Sequence, residues 1–171
     1  MEGALEGVRR FLEAGGPVLW AIGLTAALLG ALIIERYWYF RWDFPRHMAS
    51  EVRRWKQRPD RHSWYALRIR DALIADAAAR LNHLLPIIRA LIALCPLLGL
   101  LGTVTGMIGV FDVIAALGTG NVRAMASGIS RATIPTMAGM MVAIPGLYFR
   151  SRLEREMARR VEYLSDRLSL A

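Results

Sequence analysis

The sequence predicts an all-α integral membrane protein with three transmembrane helices, of which the second and third extend into the cytoplasm. Two observations predict it. Residues 17–34, 90–111 and 132–149 form uncharged blocks of 18, 22 and 18 residues, each long enough at about 1.5 Å per residue to cross roughly 30 Å of hydrocarbon. The 36 charged residues of the 171-residue chain are collected between and beyond these blocks, although the mean hydropathy is +0.33. A soluble fold of this length interleaves apolar and charged residues; segregation marks a membrane protein.

The first span is expected at about 17–34. A secretory signal peptide fits it poorly, because the apolar core is long and the basic residues follow it. The second span is expected at about 90–116. The third, at about 124–149, contains Arg131 near its outer end. Residues 35–89 then form a loop, residues 150–171 a tail, and the whole chain one membrane domain. Orientation follows from Lys and Arg, which concentrate on the cytoplasmic side. Twelve basic residues lie in the loop and six in the tail, against Arg9, Arg10 and Arg123 on the other side. The N-terminus is therefore expected outside, and the loop and tail inside.

The formal charge of +8 is thus mostly a topology signal and an attraction to anionic headgroups. No aromatic and basic recognition motif points to nucleic acid. A single cysteine, Cys95, excludes a disulfide framework and a cysteine-based metal site. His47, His62 and His83 have no helical i, i+4 pairing, so neither a metal nor a cofactor is expected. Within the loop, apolar residues at three and four spacing predict two amphipathic helices broken near Pro59, the second running into the membrane. Leu153, Met157, Val161, Leu164 and Leu168 carry one helix on from the third span. Tyr37, Trp38, Tyr39 and Trp42 read as an interfacial aromatic belt.

The spans themselves are rich in small residues. Gly99, Gly102, Gly106 and Gly109 share one face of the second, and Gly128, Ala132, Thr136, Gly139, Ala143 and Gly146 repeat the device in the third. Such stripes let helix backbones approach closely where no hydrophobic effect drives association. Thr103, Thr105, Thr133 and Thr136 add hydroxyls at membrane depth. Each either bonds back to a carbonyl of its own helix or lines a polar ion path. No Asp, Glu, His or Lys lies within residues 90–111 or 132–149, so a proton relay here needs a carboxylate from another chain or a water wire. Asp112 and Arg131 are the charges closest to the hydrocarbon. A tight outer turn at residues 117–122 would place them to form an ion pair near the outer face. Pro96 and Pro135 remove helix hydrogen bonds, and Pro135 is a candidate hinge.

Residues 96–111 (PLLGLLGTVTGMIGVF) and 128–149 (GISRATIPTMAGMMVAIPGLYF) closely resemble the two signature helices of the ExbB/TolQ/MotA proton-channel family, and the order of spans is similar. The length and the ATIPTMAGM run look most like the short ExbB-type subunits of TonB-dependent systems. The resemblance implies a homo-oligomeric stator, a pentamer in ExbB and TolQ, surrounding single-span partners of the ExbD/TolR type whose aspartate takes up protons. It also implies work delivered through a TonB-like protein. By motif position Thr103 and Thr136 match the family's pore-facing threonines. Many relatives have a glutamate where this chain has Arg131, and its cytoplasmic loop is shorter than in the longer ExbB proteins. Proton is the expected ion, with sodium the alternative. The competing reading is a membrane scaffold without ion conduction; no nucleophile and base pair or phosphate loop suggests an enzyme.

Overall fold

The computed structural model describes residue 6 and residues 15–60, 63–117 and 122–169. Among residues 15–169, as far as they are described, five α-helices follow one another: α1 (Gly16–Trp38), α2 (Phe44–Lys56), α3 (Trp64–Asn82), α4 (Leu85–Leu117) and α5 (Val122–Ser169). No strand occurs among the described residues. Three helical runs are long and apolar enough to cross a membrane: Gly16–Lys56, Trp64–Ala116 and Met125–Leu168. The chain is an all-α membrane protein.

The first run extends further than its apolar block predicts. A π turn, Tyr39–Asp43, joins α1 to α2, and the Phe44 N–H donates to the Tyr39 carbonyl five residues back. Pro45 sits in the first turn of α2, where its missing N–H costs least. The aromatic belt is therefore part of a continuous helix. The predicted break near Pro59 is present. Ser63 caps α3 by accepting the Ala66 N–H at 3.2 Å, and Asp60 Oδ1 accepts the Ser63 N–H at 3.1 Å. Pro86 occupies the first turn of α4, so α3 passes into α4 across only His83 and Leu84.

The chain divides into two compact units. One comprises Met1–Gly30 with Ala90–Leu147, the other Ala31–Arg89 with Tyr148–Ala171. The apolar unit packs α1 against α4 and α5 through Leu19, Ile22 and Ala138, flanked by Val18, Leu98, Ile134 and Val142. It carries the candidate site.

In the polar unit the organising residue is Arg36, only 3% exposed. Its guanidinium donates to the Leu81 carbonyl at 2.7 Å and to the Arg80 carbonyl. These are among the last carbonyls of α3, which have no donor within the helix. A cation at the negative end of the helix dipole satisfies both demands. The rings of Tyr39 and Phe40 lie beneath the guanidinium, 4.9 and 5.4 Å from it, and shield it from water. Glu154 forms a second knot, accepting from Arg150 at 2.9 Å and Arg89 at 3.1 Å.

Arg36→Met should cost about 1–3 kcal/mol, because two carbonyls lose their donor in a buried place; thermal unfolding in detergent measures it. The hydrogen bond from Arg150 is the main cause that holds the Glu154 carboxyl below the ordinary carboxylate range, with burial opposing it and Arg89 adding to it. A depressed carboxylate contributes stability above its unfolded pKa of about 4.3 and loses it as pH falls through the folded value. Glu154→Gln should therefore lower the unfolding temperature at pH 7 and narrow its gap to wild type in acid below about pH 4.

Candidate functional site

The candidate site is built on the seam between α4 and α5, and the seam is made by absent side chains. A Cβ added at Gly99 would lie 2.9 Å from the Thr136 Cα and 3.0 Å from the Pro135 carbonyl oxygen. At Gly106 it would stand 2.6 Å from the Ala132 Cβ, and at Gly128 2.5 Å from Val110 Cγ2. At Gly102 it would collide with the Pro135 ring, and at Gly139 with the Cys95 carbonyl oxygen. Gly146 accepts Ile92 and Leu29 in the same way, at 2.9 and 3.2 Å. The two backbones touch along most of the span.

Gly109 departs from this pattern: nothing lies within 4 Å of its added Cβ, and it is exposed. The expectation that it shares the packing face of Gly99, Gly102 and Gly106 is corrected. At about 100° per residue Val110 lies only about 20° from the direction of Gly99, while Gly109 lies about 20° from Gly102 and yet meets nothing, so the seam here has shifted to the Gly99 side of the face. The seam therefore passes to Val110, which is 5% exposed and packs on Gly128.

Pro135 is buried, and α5 runs through it without a break. Its ring fills the space above Gly102, so packing is the role its surroundings support. Its missing N–H leaves the Arg131 carbonyl without its usual helical donor.

The threonines divide in two ways. Thr103 donates to the Leu100 carbonyl at 2.7 Å, Thr133 to Ser130 at 2.9 Å, and Thr105 to Leu101 and Gly102 at 3.0 and 3.1 Å, all within their own helices. Thr136 instead crosses the seam and donates to the Gly99 carbonyl at 3.0 Å. The Gly99 close approach makes that bond possible. Direction can also be read. Gly102 meets both Pro135 and Val18 of α1, so these residues face the side that α1 occupies. Thr103 and Thr136 each follow by one residue and are turned about 100°. Because α4 and α5 run antiparallel, both turns lead to the same side of the seam, the side away from α1.

Asp112 and Arg131 are not joined by an ion pair, and both are exposed. This corrects the expected pairing. Asp112 is turned about 120° from Gly106, and Arg131 about 100° from Ala132, so neither points along the line where the helices meet. Residues 118–121 of the expected outer turn lie outside the described residues. Arg131 is also turned about 140° from Thr136, toward the side of Pro135 and α1. Reading the sequence alone also missed the part of Val110 and of the Cys95 backbone. The Cys95 carbonyl is met by Gly139, a pairing that only the packing of the two helices fixes.

The profile of the MotA/TolQ/ExbB proton channel family matches residues 45–166. The chain belongs to this family. Among curated relatives, an ExbB-like biopolymer transport protein of Synechocystis is 41% identical over 90 residues, covering 51% of this chain and 35% of its own length. An ExbB-like biopolymer transport protein of Helicobacter pylori is 29% identical over 115 residues, covering 67% of this chain and 59% of that one. The chain thus spans about a third to three fifths of these relatives.

The glycine contacts predict a contrast between two equally small changes. Gly139→Ala should destabilise the folded chain by about 1–3 kcal/mol through overpacking against the Cys95 carbonyl. Gly109→Ala should be neutral or stabilising by up to about 1 kcal/mol, since helix propensity improves in open space. Unfolding temperatures in detergent compare them.

Proposed function

We propose that the chain is the stator subunit of a proton-driven membrane motor, a homo-oligomer, by resemblance a pentamer, that encloses a single-span partner of the ExbD/TolR type. Proton flow would move that partner relative to the ring, and a TonB-like protein would carry the work to the outer membrane. The loop and tail would face the cytoplasm and the N-terminus the periplasm. The observation that carries this reading is the common direction of Thr103 and Thr136, on the side of the seam away from α1.

The hydrogen bonds of these threonines suit the task. Each hydroxyl spends its proton on a carbonyl, Thr103 on Leu100 and Thr136 on Gly99. What remains toward the pore side is lone pairs, so the face accepts hydrogen bonds and does not titrate. A protonated carboxylic acid or a hydronium ion is a donor and is stabilised there; a bare carboxylate is not. The proton carrier must come from the partner, because the apolar blocks of α4 and α5 contain no carboxylate. Arg131 points away from the threonine side, so its charge does not oppose passage of a cation along it. One proton crossing 100 mV releases about 2.3 kcal/mol, an adequate drive for moving a packed helix stepwise.

The second reading is a membrane scaffold in which the threonines only satisfy carbonyls, as the back-bond of Thr103 to its own helix would suit. Thr103→Val and Thr136→Val separate the two. Under the stator reading each variant assembles and loses most proton-driven transport, while Thr136→Ser retains it because the seam bond survives. Transport at the wild-type rate in both valine variants establishes the scaffold instead.

A further inference from the structure

A second feature of the chain lies wholly in the polar unit and does not depend on ion conduction. Between α2 and the C-terminal third of α5 is an open groove of about 510 Å³. Its floor is apolar, including Met48, Val52 and the buried Leu164, and its rim carries Arg53, Lys56, Arg160 and Arg167. No carboxylate lines it. The floor arises from the α2 stripe Phe44, Met48, Val52 and Trp55, spaced at four, four and three residues. The ends of that stripe are buried, whereas Met48 and Val52 in its middle stay half-exposed. An amphipathic helix has thus been given a partner at both ends and left uncovered between them.

We propose that this groove is the docking site for an amphipathic helix with acidic flanks, belonging to another protein on the aqueous side of the membrane. The length matches: α2 is 13 residues, so a partner of about four turns lies along it. The charge matches as well. Residues 35–89 and 150–171 together hold 18 basic and 10 acidic side chains, the whole of the chain's +8.

Two other occupants fit less well. A second copy would bring the same positive excess, and four of its ten carboxylates in these segments are already engaged: Glu51 with Arg54, Asp76 with Arg80, Glu154 with Arg150 and Glu156 with Arg160. A membrane phospholipid is too shallow. Phe44 lies ten residues, about 15 Å, past the end of the first apolar block, and Arg167 eighteen residues, about 27 Å, past Phe149. The headgroup layer is only about 5–7 Å deep.

The test uses the full-length protein in detergent and a fluorescein-labelled helical peptide of about four turns, with leucines at three and four spacing and glutamates on both flanks. A twin peptide has lysine for glutamate. The acidic peptide should bind saturably and weaken with salt, and the lysine twin should not bind. Arg53→Glu with Lys56→Glu, both at exposed positions, should raise Kd about tenfold or more. Met48→Asp should do the same through the floor. Equal binding of both peptides, no saturable binding of the acidic one, or no change in the rim double variant overturns the proposal. So does a fall in the native mass of the complex in that variant, which makes a second copy the occupant. Loss of a co-purifying anionic phospholipid from it likewise makes a lipid the occupant and overturns the proposal.

Discussion

The approach of two backbones in the α4–α5 pair is the constraint from which the rest of the membrane unit follows. In hydrocarbon a leucine-rich helix gains nothing by exchanging lipid for another leucine. Association has to come from contact density and from polar groups that find partners. Glycine at positions 99, 102, 106, 128, 139 and 146 brings the helices together until a Cβ would clash with its neighbour. Only at that separation does the Thr136 hydroxyl reach the Gly99 carbonyl. The bond and the glycines depend on each other: a larger residue at 99 would push Thr136 out of reach of the Gly99 carbonyl.

The same contact orients the candidate site. Pro135 fills the space over Gly102 on the α1 side, which turns the next residue on each helix to the opposite side. Thr103 and Thr136 are therefore aimed by packing and not by any bond between them. Spending both protons on carbonyls fixes what they offer, namely acceptor oxygens whose state does not change with pH. Such a face accepts hydrogen bonds from a donor and carries no titrating group of its own.

Arginine does several kinds of work in the polar unit. As a class the arginines supply nearly all of its positive charge. Individually, Arg36 caps α3 from a buried position, Arg89 and Arg150 share Glu154, and Arg160 pairs with Glu156 while lying 5.8 Å from the rings of Phe40 and Phe44. Arg53, Lys56 and Arg167 are exposed. They surround an apolar floor, and a cationic rim around uncovered methionine and valine is a surface with a chemical preference.

The three uncharged blocks, the break near Pro59 and the continuation of α5 past Phe149 were legible in the sequence, because hydrocarbon thickness and helix periodicity act locally and leave the same trace in any chain. The small-residue stripes were legible as a class. Which glycines meet a neighbour was not, since the substitution of Val110 for Gly109 depends on the direction in which the partner helix lies. The Asp112 and Arg131 pairing looked sound by depth and failed by direction. Arg36 read as one more basic flank, and nothing in its neighbours Glu35 and Tyr37 announced that two carbonyls 44 and 45 residues away needed its protons. Composition and periodicity determined that this chain crosses the membrane and with what helices. The tertiary structure alone decided which side of each helix meets another, because that choice is made by the partner's surface and not by the residue's own.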